Sequence, residues 1–326
     1  MKEKSIIAQV NESALPEDRK QLLLSIFSGE QLANVCYDAV AKHVFSPDLH
    51  PDRMDFILQH TMNQPRINVL SSATNEPYLL SLNTKKTISD LPAWLKDHTL
   101  FDLAIQWDSQ EFIFTRADIY ASSMLLLQYT VENDQPKKSI DFQNINGVII
   151  IVLMKESPKL FKNYESPRYI HRFTKAHSDS GLEVPTLRQM VFVQLDKALE
   201  LYLSGNYNED EDIELLKLFA LIADINNEKV VHESATNRLL QDIREDVFKF
   251  TRSKEVQQML LADDIERINW FSNMNLSRQE GRTEIVDLCK WLFSQNRDAD
   301  VRKATEDPTY LDSLLAEYNT AQKARS

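Results

Sequence analysis

Three charged residues lie where two predicted strands face each other, and their spacing would let them act together. Residues 99–107 alternate apolar and polar side chains, which predicts a strand, and residues 111–118 are predicted to return beside it as a β-hairpin. In that hairpin Asp102 faces Arg116, and Asp118 lies diagonally beyond Arg116 on the same sheet face. Directly opposed side chains are about 5 Å apart at Cβ. A carboxylate and a guanidinium at that separation form an ion pair, so an Asp102–Arg116 pair is one prediction.

A second group of charges lies in residues 155–175, where six cations stand against two acids, a surplus of four positive charges. Such a stretch is typical either of a solvated surface or of a nucleic-acid contact. The cations predicted for nucleic-acid binding are Lys159, Lys162, Arg168 and Arg172. The net charge of −12 argues against non-specific coating of DNA, which requires many Lys and Arg to displace counterions.

Other chemistries are excluded or disfavoured by composition. The chain has five glycines, none close to another, so it lacks the clustered glycines of P-loop and Rossmann sites, and no nucleotide cofactor is predicted. A GxSxG nucleophile elbow is absent. The histidines show no metal-ligand spacing, and His171 and His177 are predicted to be polar surface residues. Cys36 and Cys289 are isolated, without CxxC spacing.

The location of the protein is predicted from what the sequence lacks. Its longest apolar run, residues 148–154, has seven residues, whereas a membrane-spanning helix needs roughly 20. The polar N-terminal segment does not resemble a signal peptide, and two separate thiols are typical of the cytosol. We therefore expect a cytoplasmic protein without membrane contact.

The predicted elements change in character at residue 205. Before it, strands alternate with helices, and the β-branched run 148–153 is typical of a central strand buried on both faces. The predicted strands are 66–71, 99–107, 111–118, 148–153, 169–175 and 190–195, and a helix is predicted over 119–130. After it, apolar stripes predict helices throughout. We expect two domains, 1–205 and 206–326, the second all-helical.

Several segments in order along the chain carry a shared pattern. They are Asp38, Lys42 and Phe45 in a first helix, Asp55–Leu58 leading into Ile67–Val69, Leu100–Ala104 with Asp102 in a strand, Arg116 and Tyr120 opening a helix, and the charged tail Ser277–Arg282 followed by 285–292. Together they resemble the PD-(D/E)XK transposase family, also called recombination-promoting nucleases. Ala41 departs from the pattern, because the family usually has phenylalanine there.

The resemblance implies a restriction-endonuclease-like mixed α/β sheet flanked by helices, and metal-dependent hydrolysis of DNA phosphodiesters. In that chemistry carboxylates hold Mg²⁺, which polarises the phosphate and activates water. The family holds its metal with an Asp on one strand and a Glu, in an ExQ or ExK motif, on the next. Counting without gaps from Asp102 brings the Glu position to Arg116 and the Gln or Lys position to Asp118. The metal-binding motif is therefore altered.

Three interpretations of the altered motif stay open. In a permuted site, Asp102 and Asp118 share the metal, Arg116 binds phosphate, and Asp38 completes the metal site. In a degenerate fold, Arg116 pairs with Asp102 and repels a divalent cation. A shortened hairpin makes Glu111 the second carboxylate.

Two functions follow from these interpretations. The first is a Mg²⁺-dependent DNA endonuclease from a mobile element, active or recently inactivated. The second is a non-catalytic protein without cofactor that keeps the nuclease fold and binds a protein partner through its helical C-terminal region. The acidic composition and Arg116 favour the second, whereas the order of the family segments and the cations of 155–175 favour the first.

Overall fold

The computed structural model describes residues 5–73, 91–132, 135–136, 146–295, 297, 300–301, 303–304 and 307–323. The chain divides into two compact units, Met1–Asp263 and Asp264–Ser326. The helices are α1 (Ile6–Glu12), α2 (Glu17–Ser28), α3 (Asp38–Val44), α4 (Pro51–Met62), α5 (Ile113–Thr130), α6 (Lys159–Lys162), α7 (Leu195–Ser204), α8 (Ile213–Ala223), α9 (Glu228–Ser234), α10 (Arg238–Phe250), α11 (Lys254–Ser294) and α12 (Pro308–Lys323). The strands are β1 (Val69–Ser72), β2 (Leu91–Leu95), β3 (Leu100–Gln106), β4 (Val131–Glu132), β5 (Gln135–Pro136), β6 (Val148–Met154), β7 (Ile170–His177) and β8 (Glu183–Gln194).

The first unit is built on a six-stranded mixed sheet in the order β1-β2-β3-β6-β8-β7. Its three central strands, β3, β6 and β8, run parallel, and the remaining neighbours pair antiparallel. Strands β4 and β5 form a separate two-stranded ribbon. Every residue of β6 is buried, because both faces of a central parallel strand are covered. The predicted mixed α/β sheet with flanking helices is confirmed.

Helix α5 covers one face of the central strands. Its buried residues recur at helical spacing, at Ile113, Ala117, Tyr120, Ala121 and Met124, and they pack with even-numbered residues of the parallel strands. The strand residues in this cluster include Leu100, Ala104, Val148, Ile150, Val152, Met190 and Phe192. This packing fixes α5 over the central strands, closest to β6 and β8.

The predicted hairpin between 99–107 and 111–118 is wrong. Residues 111–112 form a turn and α5 begins at Ile113, so the second half of the hairpin is helical. The antiparallel neighbour of β3 is β2, which precedes it and which the sequence pattern did not indicate. Aromatic and β-branched residues made 111–118 resemble a strand, but burying their helical stripe against the sheet decides the conformation.

The division of the chain falls later than the predicted boundary after residue 205. Helix α8 has eight buried residues and packs on α7 within the first unit. Asn226, in the loop after α8, exchanges two hydrogen bonds with the backbone of Leu32, at 3.0 and 2.8 Å. An apolar helix such as α8 needs cover on most of its surface, which explains why it folds with the sheet unit.

Among the residues that the structure describes, the second unit consists of helices with short non-helical stretches between them. Leu288 and Leu292 pack with Leu314 of α12, and the rings of Trp291 and Tyr318 lie 5.7 Å apart. The predicted helical C-terminal part is therefore confirmed. In neither unit is a described helix both long and apolar enough to cross a lipid bilayer.

Candidate functional site

Asp102 lies in the middle of β3, at the centre of the sheet. In register it stands beside Pro92 of β2 and Ile150 of β6. Strand alternation directs its side chain to the same face as Leu100 and Ala104, the face that α5 covers. The residue is 0% exposed. A carboxylate in that position is enclosed by protein, so it does not line an open cleft.

Asp118 lies on α5 and not on a strand beside β3. Its Oδ1 forms an ion pair of 2.7 Å with Nη1 of Arg188 on β8. The same guanidinium donates a hydrogen bond to Oγ of Ser122, one helical turn after Asp118. The predicted diagonal placement of Asp102 and Asp118 is therefore wrong, because it depended on the hairpin that α5 replaces.

Arg116 also lies on α5, half-buried and next to the buried Ala117. The strand register that placed it opposite Asp102 does not exist, so the Asp102–Arg116 ion pair stays a prediction. Glu111 is exposed in the turn before α5. The interpretation with a shortened hairpin therefore lacks its second strand.

Asp38 is the first residue of α3 and pairs with Lys42 one turn later. The Oδ1–Nζ distance is 2.8 Å, and both side chains are largely exposed. An acidic residue in the first turn of a helix is also favoured by the helix dipole. The surroundings of Asp38 are those of a surface i,i+4 ion pair.

The three predicted carboxylate ligands do not fit a Mg²⁺ ion together. Across the described ranges, no group of three or more His, Cys, Asp or Glu side chains is placed to hold a metal. Asp38 and Asp118 are each neutralised by a cation, and Asp102 is fully buried. A Mg²⁺ site instead requires carboxylates converging on one point with room for water and phosphate. The predicted metal site is therefore not formed by these residues.

The four predicted nucleic-acid-binding cations lie in two segments of the chain, α6 and residues 168–172. Lys159 and Lys162 are the ends of the short helix α6, where Nζ of Lys162 lies 3.9 Å from Oδ2 of Asp196. Arg168 and Arg172 lie before and within β7, and Nε of Arg172 donates to the backbone carbonyl of Thr61. A phosphate-binding surface would need free cations, whereas Lys162 lies near Asp196 and Arg172 is bonded to Thr61.

Arg168 and Arg172 line a cleft of about 600 Å³, which we call the β7–α8 cleft. Two segments contribute most of it, the basic segment 167–172 and the acidic segment 208–215 that leads into α8. His60 and Asn63, at the end of α4, complete the lining. The acidic residues Asp210, Glu211 and Asp212 were not predicted to be functional. In the sequence these residues belong to a polar, acidic run that directly follows residue 205.

Direct contacts hold the cleft in shape. Nδ1 of His60 lies 2.5 Å from Oδ2 of Asp212, whose Oδ1 also accepts a hydrogen bond from the Leu215 amide at the start of α8. The buried Tyr169 donates its hydroxyl to Oε1 of Glu211 at 2.7 Å. Burial, followed by this hydrogen bond and the charge of Glu211, raises the pKa of Tyr169 far above its ordinary value.

No family model, curated protein or solved structure matches this chain. The resemblance to PD-(D/E)XK transposases therefore stays a prediction that depends on the sequence segments. The architecture of the described residues is a mixed α/β sheet with flanking helices.

Proposed function

We propose that this chain is a non-catalytic binding protein built on a restriction-endonuclease-like scaffold. The scaffold is supported by the order of elements around β3. Helix α4 leads into the antiparallel strands β1, β2 and β3, and α5 then crosses to the parallel strand β6. A mixed sheet of this kind, flanked by helices, agrees with the fold that the sequence resemblance implies.

We infer the loss of catalysis from the different surroundings of the three predicted metal ligands, Asp38, Asp102 and Asp118. Metal-assisted phosphodiester hydrolysis needs carboxylates that hold the ion beside an accessible phosphate. Here Asp102 is enclosed in the core, Asp118 pairs with Arg188, and Asp38 pairs with Lys42. Using Asp118 as a ligand would first require breaking its ion pair, and Asp102 would have to become accessible through α5.

We propose a protein partner in preference to DNA. The net charge of −12 opposes the approach of a polyanion, and counterion release needs several free cations on one face. In the basic stretch, Arg172 is engaged by the Thr61 carbonyl, and Lys175 pairs with Glu183 at 2.8 Å. Acidic helical proteins can instead bind partners through complementary charge, which the helical region after residue 205 could supply.

Cleavage of supercoiled plasmid in Mg²⁺ or Mn²⁺ tests the loss of catalysis. We expect no metal-dependent nicking by the wild-type chain, and no rise in its thermal unfolding temperature on adding Mn²⁺. The matched variant is Asp118→Asn, which keeps the shape of the side chain and changes a surface pair. Metal-dependent nicking that disappears in Asp118→Asn, with the fold intact by circular dichroism, would establish a nuclease and refute the proposal.

Binding to labelled duplex DNA in a low-salt buffer tests the choice of partner. We expect no saturable change in fluorescence anisotropy. Saturable binding that weakens in Lys159→Gln and Lys162→Gln, and that falls steeply as salt is raised, would instead identify nucleic acid as the partner.

A further inference from the structure

The β7–α8 cleft holds charges of both signs that are not paired with each other. The basic segment contributes Arg168 and Arg172, and the acidic segment contributes Asp210 and Glu211. Within the part of the chain that the structure describes, neither arginine forms an ion pair with these carboxylates. Opposite charges that line one cavity without contact leave a gap that a ligand with two charges can bridge.

The contacts around the cleft fix the positions of the two segments, and the hydrogen bond from Tyr169 to Glu211 joins one segment to the other. Arg172 is tied to the Thr61 carbonyl, and Tyr169 is buried with its ring against Phe219 at 6.2 Å. Asp212 is held by His60 and by the first turn of α8. A cleft whose walls are held by such contacts is preformed, and a preformed site loses less entropy when it binds a ligand.

The positive charges of Arg168 and Arg172 repel each other. The pKa of Arg172 is lowered, first by partial burial of its guanidinium and then by the positive charge of Arg168. Neighbouring guanidiniums are a recurrent arrangement for holding carboxylate or phosphate, because each presents parallel N–H donors. An anionic group between them would relieve their repulsion.

We propose that the β7–α8 cleft binds a small zwitterion, with its anionic group on Arg168 and Arg172 and its cationic group on Asp210 and Glu211. A cavity of about 600 Å³ is of the size that encloses small molecules. The anionic group is a carboxylate or a phosphate, since both suit paired guanidiniums. This inference goes beyond the proposed binding function and does not depend on it.

The test is a titration of the full-length protein followed by NMR chemical shifts or calorimetry. The carboxylate zwitterions are glycylglycine and triglycine, and the phosphate zwitterion is phosphoethanolamine. Acetate, inorganic phosphate and ethylamine, each carrying one kind of charge, are the reference ligands. We expect saturable binding of one zwitterion class, about tenfold tighter than any reference ligand, because a second charge-assisted contact is made. The preferred class identifies the anion.

Two exposed residues provide the test variants. Arg168→Gln and Asp210→Asn should each weaken binding of the zwitterion about tenfold or more, whereas only Arg168→Gln should weaken binding of acetate or phosphate. The matched controls are Lys159→Gln and Glu209→Gln, which change an exposed cation and an exposed acid outside the cleft lining. The controls should bind as the wild type does.

Three results would overturn the proposal: no saturable binding of any zwitterion, equal affinity for zwitterions and single-charge ligands, or unchanged affinity in both cleft variants. Thermal unfolding of each variant separates a lost site from a lost fold. These assays contain neither DNA nor metal, so their outcome is independent of whether the chain cleaves DNA.

Discussion

Oδ1 of Asp118 lies 2.7 Å from Nη1 of Arg188, and this pair joins α5 to β8 across the face of the sheet. Asp118 therefore forms an ion pair with Arg188, although one interpretation of the sequence had it share a metal ion with Asp102. Ser122 accepts a second hydrogen bond from the same guanidinium. The contact positions α5 over the strands, so a residue expected to do chemistry has a structural role.

Breaking this pair should have a small effect on stability. The side chains of Arg188 and Asp118 are 41% and 40% exposed, and exposed pairs contribute about 0.2–1 kcal/mol. We expect Asp118→Asn and Arg188→Gln each to lower the free energy of unfolding within that range. Urea denaturation of both single variants and the double variant measures the coupling. A coupling well above that range would indicate that the pair is shielded from water.

Substitution of Asp102 should lower the free energy of unfolding far more than substitution of Asp118 or Arg188. A fully buried carboxylate is tolerated only where neighbouring groups compensate its charge. In Asp102→Ala those neighbouring groups would be left buried without the carboxylate as their partner. We expect this variant to lose about 2 kcal/mol or more of unfolding free energy. Asp179→Ala, in the exposed turn between β7 and β8, serves as the control and should change stability little. Equal stability of the two variants would contradict the burial of Asp102. Because of this sensitivity, Asp118→Asn is the cleaner control for nuclease assays.

Stability should fall as the pH drops below about 6.5, in part because of His43. Burial lowers the pKa of His43, and the charges of His50 and Arg53 add to this, while Asp246 opposes it. The ring is stacked on Phe250, with centroids 4.0 Å apart. Since the folded protein binds fewer protons here than the unfolded chain, unfolding free energy rises with pH between the lowered pKa and the ordinary one.

The slope of stability against pH therefore tests the role of His43. Urea denaturation between pH 5 and pH 7 should give a shallower dependence for His43→Gln than for the wild type, whatever the absolute stability of the variant. A wild-type slope in His43→Gln would show that other groups cause the pH dependence.

Alanine substitution should lower the stability of the protein at one glycine and raise it at another. Gly29, which ends α2, has φ of +89°, and a Cβ there would lie 1.7 Å from Nη2 of Arg252. Gly29→Ala should cost about 1–2 kcal/mol, because the left-handed conformation is unfavourable for any residue with a Cβ. Gly281 lies within α11 with no atom within 4 Å of an added Cβ, so Gly281→Ala should stabilise the chain by up to about 1 kcal/mol. Thermal unfolding of both variants checks the signs.

The sequence by itself determined the elements whose signal is local. The apolar run of β6 indicated a strand buried on both faces, and apolar stripes indicated the helices after residue 205. These features depend on the periodicity of neighbouring residues, which is visible without knowing what they pack against. The mixed α/β class followed from them.

Only the tertiary structure decided what the charged residues do. Residues 111–118 carry side chains that suit a strand, but packing Ile113 and Ala117 on the sheet makes them the start of α5, which moves Asp118 to Arg188. The boundary expected after residue 205 likewise ignored that α8 needs cover from the rest of the first unit. The fold also places Asp210 and Glu211 in one cleft with Arg168 and Arg172, which come about 40 residues earlier in the chain. Contacts between distant segments have no periodicity along the chain, so only the folded structure reveals them.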